Sequence, residues 1–233
     1  MMTPAIRCLV WTNILVFALQ AMYYPNFDLA FQMSYIGSES FRFYQMFTHS
    51  LMHGGMWHLF FNVFIIVMLG NALERVWGFR RMLVFYGATA LGGALLHTGF
   101  NMYQIYQMVG TPFPDINEAI ELNNLVWFES TTAPKQMLSL YFGGMLGASG
   151  VVFGIMVAFA YLFPTARLSF FLLPISISAK WLVIVYVAYE AYMAFIVNPS
   201  DQIAHFAHLG GGLFGFLVAR WWVYTDLERD LKK

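Results

Sequence analysis

Six apolar segments, at about 5–23, 56–73, 82–103, 149–163, 180–197 and 204–224, dominate this chain of 233 residues. A helix needs roughly 20 mostly apolar residues to cross a bilayer. In lipid every backbone polar group must be satisfied within the protein, so segments of this kind predict spanning helices. Composition agrees, with 60% hydrophobic and only 10% charged residues, against about 25% charged in soluble domains. So few charges cannot keep an exterior in water, and lipid is the expected solvent. The expected fold is therefore all-α and polytopic, a single membrane domain over residues 1–233.

The first segment follows Met-Met-Thr-Pro and lacks a small-residue cleavage site, so it is expected to be a retained anchor. The fourth is short, bounded by a glycine-rich stretch before it and Pro164 after it. The apolar stretch Leu168–Pro174 has too few residues for another span and is expected to form a membrane-hugging loop. Two outer connections are long: 24–55, rich in aromatic residues, and 104–148, which carries Asp115, Glu118, Glu121 and Glu129. Connections of such length are usually functional or disordered.

Charge fixes the expected orientation. An inside N-terminus puts Arg7, Arg75, Arg80, Arg81, Arg167, Lys180, Arg220, Arg229, Lys232 and Lys233 on the cytoplasmic side, leaving only Arg42 and Lys135 outside. This asymmetry is what the positive-inside rule requires, and it makes the even-numbered helices start at the outer face. Both termini are expected in the cytoplasm. A net charge of zero without a basic run argues against nucleic acid as a partner. The single cysteine, Cys8, has no internal disulfide partner.

Polar groups at membrane depth are costly and therefore raise a functional question. The second segment opens Met56-Trp57-His58-Leu59-Phe60-Phe61-Asn62, with His58 and Asn62 on one helical face. The fourth opens Gly147-Ala148-Ser149-Gly150, and the sixth carries His205-Phe206-Ala207-His208-Leu209-Gly210-Gly211. His58, Ser149 and His208 each lie within two turns of an outer helix start, roughly 10 Å of depth. Three groups competent for hydrolysis thus fall at one level of one membrane face. Gly150 with Gly154, and Gly211 with Gly215, form small-xxx-small faces that allow close helix approach. If those faces meet, Ser149 and His208 are brought side by side. His205 and His208 share a face, so either residue can approach Ser149.

These residues resemble a known family. Gly147-Ala148-Ser149-Gly150 is similar to the GxSG signature of rhomboid intramembrane serine proteases, and Ala207-His208 through Gly211 and Gly215 to the AHxxGxxxG signature. His58 with Asn62 resembles the HxxxN pair, and Leu73-Glu74-Arg75-Val76-Trp77-Gly78 fits the pattern that follows it. The resemblance covers about 56–220 and implies a six-transmembrane-helix rhomboid-like bundle. It further implies a Ser–His dyad, with Ser149 as nucleophile and His208, in phase with the glycines, as base. The backbone N–H of Ser149 with His58 and Asn62 would hold the oxyanion. No metal and no cofactor is implied, and the implied substrates are transmembrane proteins cut near the outer face.

Two positions depart from the family pattern. Phe153 stands where a tyrosine often lies beneath the histidine, and Phe41-Arg42 replaces a Trp-Arg pair. His205 is expected to be structural or loop-facing, and Glu190 has no assigned chemistry; Asp201, in the short outer loop before the sixth segment, is a candidate third member for His208, which the resemblance does not call for. A metal site built from His53, His58, His205 and His208 lacks an HExxH or cysteine cluster. The rival readings are a client-binding rhomboid-like protein without activity and a small transporter. A client-binding relative would be expected to have lost Ser149 or His208. A transporter would be expected to carry broken helices at the midplane. The simplest location is a prokaryotic cell (inner) membrane.

Overall fold

The computed structural model describes residues 1–115, 139–169, 176–196 and 203–231. Glu118, Glu121, Glu129, Lys135, Pro174, Asp201, Lys232 and Lys233 lie outside the described residues, so the expectations placed on them stay with the sequence. Helix dominates. The long elements are α1 (Pro4–Tyr23), α4 (Met56–Ile65), α5 (Asn71–Val109), α6 (Ser149–Leu162), α7 (Ala179–Phe195) and α8 (His205–Leu231). Short helices α2 (Asn26–Phe31) and α3 (Gln45–Thr48) lie in the first outer connection. A π-helical turn, Ile66–Gly70, joins α4 to α5.

Each apolar segment read from the sequence carries helix, but the boundaries differ. The second and third remain separate helices within Met56–Val109, divided at Gly78, whose φ of 78° and ψ of 171° are non-helical. Glycine alone adopts that conformation without a Cβ penalty. Pro4–Tyr23 and Met56–Val109 are long and apolar enough to cross a membrane by length and hydropathy. Helices α6 and α7, at 14 and 17 residues, fall below the usual length of roughly 20. Of the stretch expected as a membrane-hugging loop, 170–174 lie outside the described residues, while Leu168 and Ser169 belong to β1 (Arg167–Ser169), which pairs antiparallel with β2 (Ser176–Ser178). Alternation of Arg167, Leu168 and Ser169 across from Ser176, Ile177 and Ser178 suits that pairing better than a continuous apolar run.

Helix α8 packs most extensively on α5 and α6, and glycine is the reason it comes so close. A Cβ on Gly215 would lie 2.7 Å from both Cα and O of Gly154, and one on Gly154 would lie 2.8 Å from Gly211 O. One on Gly93 of α5 would lie 3.0 Å from Ala207 O. The two small-residue faces therefore meet backbone to backbone. Helix α6 is almost enclosed, with Val151, Val152, Phe153, Ile155, Met156 and Phe159 all buried. The outer surface is the reverse. Trp11, Phe61, Val84, Trp181, Val185 and Trp221 are more than half exposed, a surface suited to lipid rather than water.

Two polar clamps close the bundle at the end opposite the glycine-rich helix starts. Buried Glu74 accepts from the backbone N–H groups of Ala5 at 2.8 Å and Ile6 at 2.9 Å and from the Thr3 hydroxyl. It thus caps the N-terminus of α1 from another helix, where free donors and the dipole favour a carboxylate. Nearby, Arg81 makes a bidentate pair with Asp226 at 2.6 and 2.8 Å and lies over the Trp222 ring. The Arg81 guanidinium holds the Asp226 carboxyl below its usual range.

Candidate active site

Ser149 is the first residue of α6, and the loop before it is tightly specified. Gly147 has φ of 135°, which favours glycine, and a Cβ there would lie 2.7 Å from His58 Cε1. Its N–H donates to His49 O at 2.9 Å. Two residues earlier, Met145 exchanges backbone hydrogen bonds with Met33, N–H of Met33 to O of Met145 at 2.8 Å and the reverse at 3.0 Å. The first outer connection therefore frames the Ser149 loop.

That frame has its own organiser, which sequence reading missed. Gln45 is 1% exposed and spends its amide on the loop's backbone. Its Oε1 accepts from the N–H of Ser34 and Arg42, and its Nε2 donates to the carbonyls of Ala30 and Ser40. Arg42 donates locally, to the carbonyls of Glu39 and Phe41. Tyr35 and Tyr141 tie this segment to the second connection: Tyr35 donates to Pro112 O, and Tyr141 donates to Gly37 O at 3.0 Å. Burial pushes the Tyr35 phenol up to about 12.

The close α6–α8 seam brings His208 to Ser149. His208 Nε2 lies 2.8 Å from Ser149 Oγ. The Phe153 ring stacks on His208 at 5.5 Å between centroids and 8° between planes, and its other neighbour is Tyr186 of α7. Stacking thus fixes the imidazole plane without a hydroxyl at position 153. His208 is nearly buried while Ser149 and His58 are part exposed, so the pair opens toward one side.

His58 flanks the same spot. The Gly54 N–H approaches its Nδ1 at 3.3 Å, which makes Nδ1 the acceptor and leaves Nε2 with the proton. That Nε2 would lie 3.0 Å from a Cβ on Gly147, and Ser149 Oγ 3.6 Å from it, so donor and hydroxyl border one small space. With the free N–H groups at the start of α6, this space suits a developing oxyanion. Asn62 is buried one turn below, and its Nδ2 donates to His58 O at 2.8 Å. Among the described residues no polar contact joins Asn62 to Ser149.

Behind His208 stands a group with no sequence motif. Buried Glu190 of α7 places Oε2 2.6 Å from His205 Nδ1 and 3.0 Å from His208 Nδ1. His205 is therefore buried and partnered rather than loop-facing. A lone carboxylate in an apolar span was the available signal. Ligand atoms of Glu190, His205 and His208 lie within 4.8 Å of one another, the spacing of a possible metal cluster, which His53 and His58 do not join. The 2.6 and 3.0 Å separations are hydrogen-bond distances, tighter than the roughly 3.3 Å between donors around tetrahedral zinc.

Similarity to known proteins is found at the level of the family. The family model described as Rhomboid domain matches residues 40–225. The chain is 25% identical over 181 residues to "Rhomboid protein 1, mitochondrial" of Saccharomyces cerevisiae, covering 78% of this chain and 42% of that protein. It is 28% identical over 90 residues to "Rhomboid-like protein 15" of Arabidopsis thaliana, covering 35% and 22% respectively. The chain thus spans less than half the length of either relative.

Proposed function

Since this chain belongs to the rhomboid family of integral membrane proteins, we propose that it is an intramembrane serine endopeptidase that cuts transmembrane proteins near the outer membrane face. The observation that carries this reading is the 2.8 Å approach of His208 Nε2 to Ser149 Oγ in the first turns of two helices starting at the same end. His208 takes the hydroxyl proton as Ser149 attacks the scissile carbonyl, then delivers it to the leaving amine. The Ser149 N–H and His58 Nε2–H stabilise the oxyanion, with Asn62 as a further donor once its amide turns from the His58 carbonyl. A preorganised donor of this kind is worth about 3 kcal/mol.

In this reading the six apolar segments form a six-helix bundle. Helix α6 is short because it starts at the depth of the chemistry and is wrapped by protein rather than lipid. Both termini lie on the arginine-rich side. The location expected from the sequence is a prokaryotic cell membrane, whereas the relatives are a mitochondrial protein of Saccharomyces cerevisiae and a protein of Arabidopsis thaliana. Substrates are transmembrane segments that unwind readily, since an intact helix hides its carbonyls. Helix α7, exposed along Ile184, Val185, Tyr189 and Tyr192, is the candidate lateral gate, because the first outer connection is knitted to the Ser149 loop.

A serine-directed phosphonate probe tests the assignment. The wild-type protein in detergent is expected to be labelled at Ser149, with labelling abolished in Ser149→Ala and reduced at least about 10²-fold in His208→Ala. An unlabelled, folded wild type would replace this reading with a client-binding relative that lacks activity.

A further inference from the structure

The carboxylate behind His208 has no part in the two-residue mechanism, yet its placement is specific. Glu190 is 2% exposed and comes from α7, a helix whose other buried positions are Ala179 and Val183. Its Oε2 is shared by two imidazoles that belong to the first turn of α8. His205 Nδ1 makes a hydrogen bond at 2.6 Å, and His208 Nδ1 lies 3.0 Å away, close but not aligned for a full hydrogen bond. The two rings stand edge to face at 6.4 Å, so one oxygen serves both without a clash.

Proton accounting gives this geometry a direction. A carboxylate only accepts, so each imidazole that faces it must carry its proton on Nδ1. For His208 that leaves the Nε2 lone pair pointing at Ser149 Oγ, the tautomer a general base requires. The opposite tautomer would set the Nδ1 lone pair against the carboxylate and its one N–H, on Nε2, against the hydroxyl. When Ser149 Oγ–H breaks and Nε2–H forms, His208 becomes an imidazolium 3.0 Å from the Glu190 oxygen. The charge then tightens and aligns a contact that is slack in the resting state, as catalytic hydrogen bonds often do. The proton leaves with the amine and the neutral imidazole is restored.

We propose that Glu190 is a positioning residue for the Ser149–His208 pair, holding His208 with its proton on Nδ1, and that His205 anchors the Glu190 carboxylate from the same helix turn. This rests on the peptidase reading above, and its test separates the two. Glu190→Gln, Glu190→Asp and His205→Ala are purified in detergent, with folding checked by circular dichroism. Kinetics on a labelled single-span substrate are measured for each. The His208 ring nitrogens are followed by NMR in protein labelled with 15N-histidine.

Glu190→Gln is expected to lower kcat by about 10² to 10⁴-fold with KM nearly unchanged, the range that follows loss of tautomer control. Glu190→Asp, which keeps the charge, is expected to recover part of that loss, and His205→Ala to lower kcat by less than Glu190→Gln. The 15N pattern of a protonated Nδ1 is expected in wild type and not in Glu190→Gln. A folded Glu190→Gln with wild-type kcat and an unchanged His208 15N pattern would overturn the proposal. If the wild type cleaves nothing, the peptidase reading fails, while the 15N pattern still decides whether Glu190 sets the tautomer of His208.

Discussion

Met33 and Met145 exchange two backbone hydrogen bonds, at 2.8 and 3.0 Å, and so fasten the first outer connection to the loop that delivers Ser149. Segments more than a hundred residues apart thereby share one rigid frame. The frame rests on Gln45 and on the glycines of the Ser149 loop, and each makes a separate prediction.

Replacing Gln45 by Ala leaves the buried N–H of Ser34 and the carbonyl of Ala30 without their partner. An unsatisfied buried group costs about 1–3 kcal/mol. Gln45→Ala is expected to destabilise the protein by about 2–4 kcal/mol in thermal unfolding in detergent and to slow probe labelling of Ser149. Wild-type stability would show that the outer connection is not held through this amide.

Gly147→Ala meets two penalties, a φ of 135° and a Cβ 2.7 Å from His58 Cε1. The backbone strain alone costs about 1–3 kcal/mol, and the displaced imidazole loses its place beside Ser149. Gly215→Ala pushes a Cβ to 2.7 Å from the Gly154 backbone, which cannot step aside. It is expected to cost about 1–3 kcal/mol, as overpacking does, and to lengthen the Ser149–His208 contact. Both variants should lose kcat in the cleavage assay; Gly55→Ala, where a Cβ meets nothing within 4 Å, is the control for an added methyl.

At the other end of the bundle, Glu74→Ala removes the acceptor for Ala5 N–H, Ile6 N–H and the Thr3 hydroxyl. Loss of charge-assisted bonds that leaves two buried donors unpaired is expected to cost about 3 kcal/mol. Limited proteolysis should then release α1 before the rest of the bundle. Equal protease resistance in the variant would contradict a capping role.

The Asp226 carboxyl is depressed by Arg81, so its folded value lies below the ordinary 3.8. A depressed carboxylate contributes stability that is present above the ordinary value and lost as pH falls through the folded one. The melting temperature of wild type should therefore exceed that of Asp226→Asn between pH 5 and pH 8, by a margin that salt reduces. The margin should begin to shrink near 3.8 and vanish as pH falls through the lower folded value. A margin that persists in strong acid would assign the effect to packing against Trp222 instead.

Much of this arrangement was legible in the sequence for physical reasons. Apolar length marks helices, and glycines four apart mark the seam where Gly154 and Gly215 touch. His58, Ser149 and His208 were legible because helix starts on one side put them at one depth. Glu190 was visible as an oddity but not as a partner of His205 and His208. Helix α7 is apolar all round, so no periodicity fixes which face turns inward. The Met33–Met145 pairing was hidden for another reason, since backbone bonds in irregular segments leave no side-chain pattern. The exact point at which the second helix gives way to the third, Gly78, depends on a single glycine conformation that sequence does not reveal.

Cleavage of a labelled single-span substrate in proteoliposomes, comparing wild type with Ser149→Ala and His208→Ala, tests the central claim most directly. Cutting by wild type near the outer end of the substrate span, with both variants folded and inactive, is the predicted result. Equal cutting by Ser149→Ala would contradict the serine mechanism and with it the role given to His208.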